Sequence, residues 1–258
     1  CEAAVPGHRA QLRIPIIGCG CAVCRSPDPR DRRTRIGAVI ETDQGTRLLI
    51  DTPPELRLQL VQAGIDRVDA VFFTHDHADH IHGIDDLRAI TVRQRAPLPM
   101  YAEPEVLARL AQRFPYIFDE RMLPLPGTSK PEGAPCPIRD GDVVQVGDAA
   151  VEAIALPHGR MRVLAFRVGA LGFVTDAKAV PGEAIARLRG VRVLVLNALF
   201  RRQHPTHLSI DEAVAVAGEI GAERTYLIHL THETSHAELE RELPPGVQPA
   251  YDGLVVEI

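Results

Sequence analysis

A chain of 258 residues with 45% hydrophobic side chains has ample material for a core, arranged as one large or two small domains. A formal charge of -5 argues against a general nucleic-acid binder, which is usually basic overall. No apolar run reaches the length that spans a bilayer, and the opening residues, which begin at Cys1, show no signal-peptide pattern.

Three of the five cysteines stand together as Cys19-Gly20-Cys21-Ala22-Val23-Cys24. That spacing is too tight for a disulfide framework and suits thiolate ligation of zinc. Such cysteine usage implies a reducing, cytoplasmic compartment. Cys1 and Cys136 read as incidental. Strands are expected over 38–41 and 47–51, a helix over 54–63, and a buried strand over 68–73. A helix over 84–93 follows, then a short strand at 100–101 and a helix over 104–114. The Pro- and Gly-rich stretch 124–137 reads as an irregular excursion, a flap over a site. Strands are expected again at 142–146, 150–156, 165–168 and 173–175, then a helix over 182–189 and a buried strand over 191–196. Ser209 opens an amphipathic helix over 209–220, with Glu212 completing a capping box. The last strands fall at 225–228 and 254–258. Two successive sets of strands with interspersed helices suggest two packed sheets flanked by helices, in one domain over 1–258, and no repeat is visible.

The densest chemistry is Thr74-His75-Asp76-His77-Ala78-Asp79-His80, directly after a buried strand. Neutral imidazole suits zinc, manganese or iron, and carboxylate suits the harder of these. Alternate side chains of an extended chain share a face, so His75 and His77 can grip one ion, while Asp79 and His80 reach a second as the chain turns into a helix. Elsewhere, strands stop at Asp51, at Pro157-His158, at Asp176 and at His229. Five strands that each deliver a metal-capable side chain point to one shared site at a sheet edge.

This pattern resembles the metallo-β-lactamase superfamily, over nearly the whole chain. The resemblance implies an α/β fold, an αβ/βα four-layer sandwich, with two divalent ions, zinc or manganese, at one sheet edge. His75, His77 and His158 would hold one ion; Asp79, His80 and His229 would hold the other, with Asp176 bridging. Asp51 would be a supporting acid that orients a ligand imidazole. The triplet Cys19, Cys21 and Cys24 narrows the likeness to the phosphodiesterases related to the phosphoribosyl cyclic phosphodiesterase of bacterial phosphonate breakdown. In those proteins three such cysteines and a His three residues after the last active-site His hold a structural zinc; here that His is His232. A His near the start of the late helix, His207, would contact phosphate and act as general acid. Asp79, Asp51 and His207 then form the catalytic set.

The implied reaction is hydrolysis of a small phosphate diester, cyclic or open, such as a phosphoribosyl cyclic phosphate or a nucleotide, by hydroxide held between the ions. Arg88, Arg160 and Lys178 are close in sequence to the ligands and could add positive field. His204 and His82 read as surface or supporting groups, and His8 and His236 as bystanders. Thioester hydrolases, pyrroloquinoline-quinone-pathway proteins and non-catalytic metal binders of this fold share much of the ligand pattern. No long nucleic acid and no membrane are expected as partners, and the resemblance leaves room for a homodimer. The relatives usually open with a strand ending in a Gly-Thr-Gly type of turn. Val5-Pro6-Gly7-His8-Arg9-Ala10-Gln11 stands there instead, so the first strand is expected to be missing or altered.

Overall fold

The computed structural model describes the backbone of residues 2–7 and, in full, residues 14–258. Fourteen strands among these residues form two seven-stranded sheets. The first six strands are β1 (Glu2–Gly7), β2 (Gly37–Glu41), β3 (Arg47–Ile50), β4 (Ala70–Phe72), β5 (Leu98–Ala102) and β6 (Gly133–Pro137). β7 (Val143–Val146), β8 (Ala149–His158), β9 (Met161–Val168) and β10 (Leu171–Val174) follow, then β11 (Val193–Asn197), β12 (Arg224–Ile228), β13 (Val247–Pro249) and β14 (Leu254–Glu257). The sheets run β14-β1-β2-β3-β4-β5-β6 and β13-β12-β11-β10-β9-β8-β7. Each has an antiparallel half and a parallel half: β3, β4, β5 and β6 are mutually parallel in one, and β10, β11, β12 and β13 in the other. The two sheets thus share one topology that no sequence repeat announces.

Period-two alternation explains the layers. In β4, Ala70 and Phe72 face the core between the sheets, while Val71 packs under the helices on the other side. In β11, Val193 and Val195 join that same core, and Leu194 and Leu196 face the second helical layer. Strands buried on both faces read as continuous apolar runs, as parallel strands do. Helices α1 (Leu56–Gln62), α2 (Ala78–Ile81), α3 (Arg88–Gln94), α4 (Pro104–Arg113) and α5 (Pro115–Phe118) cover the first sheet. Helices α6 (Gly182–Leu188), α7 (Ile210–Ile220) and α8 (His236–Glu242) cover the second. The expected α/β four-layer sandwich is the observed fold, and Ser209 and Glu212 make both bonds of the capping box that starts α7.

Three expectations are corrected. The first strand is neither missing nor lost: β1 lies between β14 and β2, antiparallel to both, and ends at Gly7. Glu2–Gly7 thus supplies the neighbour of the edge strand β14. His8 falls outside the described residues. The excursion at 124–137 is not irregular throughout: its last five residues are strand β6, paired parallel to β5 with Leu98 opposite Gly133. Pro135 and Pro137 are tolerated because β6 is an edge strand and alternate residues donate to β5, as Ile138 N–H does to Ala102 O at 2.9 Å. The loop before it lines a hollow with Pro97 and Ile117, next to the start of β5 and so at the far end of that strand from Ala102. Helix α8 was not foreseen, and His236, read as a bystander, is a buried residue of its first turn.

A fully buried arginine ties the Cys-rich segment to the other end of the chain. Arg33 donates to Thr231 O at 2.8 Å and Thr234 O at 3.1 Å, and pairs with Asp31 at 3.2 Å. Asp31 in turn accepts the His236 N–H at 2.7 Å. Beside this group, Asp252 Oδ2 accepts from Thr34 N–H and Oγ1–H, each at 2.7 Å, while its Oδ1 is buried without a hydrogen-bond partner. Burial pushes the Asp252 carboxyl up to about 7, against the hydrogen bonds of Thr34. A carboxyl raised above its unfolded value of about 3.9 favours folding below that value, and the contribution is lost as pH climbs through the folded value. Asp252→Asn should therefore show a smaller fall in Tm than wild type between about pH 5 and about pH 8. An equal fall in the two proteins would remove Asp252 as the source.

Candidate metal centre

The parallel halves of the sheets place their strand ends at one edge, the position at which open α/β sheets bind ligands. Ile50 pairs with Phe72, and Val174 with Leu196, so the residues that follow emerge side by side. Asp51, Asp176 and His229 each leave a strand with left-handed backbone, at φ 59, 58 and 64°. This conformation costs about 1–2 kcal/mol in a residue with a Cβ. Glycine would relieve it but carries no ligand, which is how strain comes to sit at a functional edge.

The loop after β4 is fixed by hydrogen bonds that decide which ring nitrogens face inward. Asp51 accepts the Thr74 N–H and Oγ1–H, each at 2.8 Å, and the His80 Nδ1–H at 2.7 Å. With its proton committed to Asp51, the Thr74 hydroxyl accepts from His75 Nδ1 at 3.0 Å. Both imidazoles therefore turn Nε2 towards the site. The Thr52 N–H donates to His80 O at 2.7 Å, and the return of the chain requires Gly83, where a Cβ would stand 2.0 Å from Pro53 O. Asp76 faces away from the ligands and binds Arg109 at 2.8 Å and Arg113 at 2.9 Å, both from α4.

The ligand-capable atoms fall into overlapping sets. Those of His75, His77 and His158 lie within 4.8 Å of one another, as do those of Asp79, His80 and His229. Asp176 stands between the sets, 3.3 Å from His80 Nε2 and 3.0 Å from His229 Nε2. His207 Nε2 is also 3.0 Å from Asp176 Oδ1. Asp79 Oδ2, His80 Nε2 and both ring nitrogens of His229 are buried without a hydrogen-bond partner. Orphaned buried acceptors and donors of this kind are costly and rare in native chains. Divalent ions would satisfy Asp79 Oδ2, His80 Nε2 and one ring nitrogen of His229, so the donor set fits the ions that the sequence implied.

Charge follows the same logic. Burial drives His75 well below the usual histidine range and lowers His77, which keeps both neutral and able to ligate. Burial opposes ionisation of Asp176, but His229 and His80 beside it hold its carboxyl well below the usual range. His80 is buried too, and the carboxylates of Asp176, Asp79 and Asp51 overcome that and push it well up. Burial pulls His207 down to about 4 despite its bond to Asp176.

Comparison with known proteins now decides the family. Residues 46–230 match the model of the beta-lactamase superfamily domain. The chain belongs to the metallo-β-lactamase superfamily. A solved diphosphatase of the PhnP family is 34% identical, with a TM-score of 0.91, over 100% of this chain and 98% of that one. An octanoyltransferase of Porphyromonas gingivalis (strain ATCC BAA-308 / W83) is 42% identical over 253 residues, which are 96% of this chain and 50% of that protein. The chain thus spans about half the length of that curated relative. Zinc-bound PqqB from Methylobacterium extorquens shares the fold, with a TM-score of 0.79 at 17% identity over both full chains. Superfamily membership implies divalent metal binding, in keeping with the orphaned donors at the sheet edge.

A second cluster of ligand-capable groups joins the Cys-rich segment to the loop after β12. Cys19, Cys21 and Cys24 bring their Sγ atoms to 3.4, 3.3 and 3.7 Å from His232 Nδ1. Zinc at its usual Zn–S and Zn–N lengths in a tetrahedron demands about 3.6 Å for each such edge. The Cys24 N–H donates to Cys21 Sγ, and with His232 this lowers the Cys21 thiol to about 6 against partial burial. The four groups therefore fit a closed zinc site, and His232 sits on the loop that Arg33 holds, three residues after His229. Of the three cations near the ligands in sequence, Lys178 pairs with Glu212 at 2.8 Å and Arg88 with Asp85 at 2.8 Å, while Arg160 is an exposed turn residue. His82 is exposed and stacks edge-on against Phe114.

Sequence reading passed over Thr74, Thr206, Asn197 and Arg33. Asn197 exchanges two hydrogen bonds with the backbone of Ala177, at 2.8 and 2.9 Å, and so fixes the turn that carries Asp176. One signal was present: Thr precedes His in Thr74-His75, Thr206-His207 and Thr231-His232, and in the first two pairs the hydroxyl meets the ring Nδ1. Cys21→Ser should lower bound metal by one equivalent per chain, read by elemental analysis of protein purified without chelator. An unchanged metal content would mean that the four groups hold no ion.

Proposed function

We propose that this chain is a metal-dependent phosphodiesterase that hydrolyses a small phosphate diester, cyclic or open. The observation that carries the reading is the full-length likeness, at 34% identity, to a diphosphatase of the PhnP family, which is named for cleavage at phosphorus. Support comes from the Cys19, Cys21, Cys24 and His232 cluster and from His207 beside Asp176. Zinc or manganese would be held at His75, His77 and His158 and at Asp79, His80 and His229, with Asp176 shared, and a structural zinc at the cysteines. Such ions supply Lewis acidity towards phosphoryl oxygens and make bound water acidic enough to react near neutral pH.

The chain's own groups perform the remaining work. Asp51 and Thr74 hold His80 and His75 with Nε2 inward, so the ligand geometry is formed before substrate arrives. His207 Nε2 opens onto the same space as Asp176, whose carboxylate favours the protonated ring against burial, and that imidazolium would give its proton to the departing oxygen as the bond from phosphorus to that oxygen breaks. The leaving group then departs as an alcohol instead of an alkoxide. Asp79, whose Oδ2 lacks a hydrogen bond, belongs to the ligand set with His80 and His229.

A second reading is favoured by one observation, the 42% identity to half of an octanoyltransferase. The same centre could then act at an acyl carbon, as a thioester hydrolase. Neither reading needs long nucleic acid, and no helix among the described residues is long and apolar enough to cross a membrane. The deciding assay gives zinc- or manganese-loaded protein three substrates: bis(p-nitrophenyl) phosphate, a nucleoside cyclic phosphate and an octanoyl thioester. Diester turnover is expected, abolished in Asp79→Ala. His207→Ala should cost roughly 10²–10⁴-fold in kcat on the cyclic ester, whose leaving group is a poor alkoxide. Turnover of the thioester alone would move the assignment to the acyl reading, and no turnover of any substrate would leave a metal-binding protein.

A further inference from the structure

Thr206 and His204 stand outside the ligand set, yet Thr206 touches two of the imidazoles at the centre. Its carbonyl oxygen accepts from His158 Nδ1 at 2.9 Å, which leaves His158 Nε2 to face the site. Its Oγ1 lies 2.8 Å from His207 Nδ1, and His207 likewise turns Nε2 inward, 3.0 Å from Asp176. One residue therefore grips two rings by the same atom, one through its backbone and one through its side chain.

His204 completes the arrangement. Its Nδ1 accepts the Thr206 backbone N–H at 3.3 Å and lies 3.1 Å from Thr206 Oγ1 and 3.2 Å from His207 Nδ1. An amide N–H cannot act as acceptor, so His204 Nδ1 is the acceptor of this group and its neutral ring carries hydrogen on Nε2. The Thr206 hydroxyl can then donate to either ring and accept from His207, and it satisfies His207 Nδ1 in both roles. His204 is itself seated edge-on against the buried ring of Phe200, at 5.5 Å between centroids, and the Arg202 guanidinium covers that ring at 3.9 Å. The backbone at residue 159 makes room for Thr206. A Cβ there would stand 2.7 Å from Thr206 Cγ2, and Gly159 has φ +60°.

We infer that Thr206, buttressed by His204, is a positioning residue that fixes His207 through Nδ1 so that Nε2 delivers the proton to the leaving oxygen. The inference rests on the phosphodiesterase reading for its kinetic consequence, but the ring orientation itself is independent of that reading. The same device acts at Thr74 and His75, where a hydroxyl holds Nδ1 and frees Nε2. A hydroxyl is suited to this because it donates and accepts from one atom, whereas a valine of the same shape does neither.

The test compares Thr206→Val, Thr206→Ser and His204→Phe in the zinc-loaded protein. Valine keeps the backbone carbonyl on His158 and the methyl against Gly159, so metal content and Tm should stay near wild type. Expected is a fall in kcat of about 10–100-fold on a nucleoside cyclic phosphate with KM little changed, the range usual for a group that orients a working ligand. On bis(p-nitrophenyl) phosphate, whose leaving group needs little protonation, the fall should be much smaller. Serine should restore most of the loss, and His204→Phe should show a weaker version of the valine pattern. Nitrogen NMR of histidine-labelled protein gives a second readout, with the His207 Nδ1 signal expected to shift towards that of an unbonded nitrogen in Thr206→Val alone. Equal losses on both phosphate esters, or an unmoved His207 signal, would overturn the inference. Should wild type cleave neither ester, the phosphodiesterase reading fails, and the nitrogen spectra still decide the positioning role.

Discussion

The carboxylate of Asp51 holds the metal-binding edge together. It is completely buried, and it accepts three hydrogen bonds, two from Thr74 and one from His80. Those bonds join the end of β3 to the loop after β4 and to α2, and they set the direction of two imidazoles at once. A buried carboxylate without such partners would be expensive, and the histidines without it would be free to turn. Burial pushes Asp51 upward, and the histidine and threonine beside it oppose that, so charge and hydrogen bonding at this point are mutually dependent.

Around that tie the sandwich acts as a frame. Parallel strand pairs bring Asp51, His75, Asp176 and His229 to one edge from two different sheets, and the apolar core between the sheets keeps the edges level. The left-handed backbone at Asp51, Asp176 and His229 is tolerated because those residues are anchored on both sides by strand pairing and by their own contacts. Arg33 extends the frame by fixing the segment that carries His229 on one side and His232 on the other. The sheet-edge centre and the cysteine cluster are therefore mechanically joined, although they involve separate ligand sets.

Threonine hydroxyls recur as the parts that orient imidazoles. Thr74 does so for His75 and Thr206 for His207, each next in sequence to the ring it holds. An adjacent residue is a convenient source because its position relative to the histidine is fixed by the backbone, and a hydroxyl can serve as donor or acceptor as the ring requires. In each case the consequence for chemistry is the same, an Nε2 that faces inward without competition from an alternative ring orientation.

Much of this protein was legible in its sequence. The apolar runs and their polar ends located most strands, the capping box located α7, and the spacing of His75, His77, Asp79 and His80 announced a metal-binding loop, because such signals are local and depend on periodicity or on the chemistry of a few neighbours. The sequence also showed which residues ended strands, and that was enough to group His158, Asp176 and His229 with them. Tertiary structure alone decided the pairing of β1 between β14 and β2, the edge position of β6 with its two prolines, and the burial of Arg33 and His236. It also decided that the Thr206 carbonyl would meet the His158 ring nitrogen. These depend on segments far apart in the chain being brought within hydrogen-bond distance, and no local pattern of residues encodes that closure.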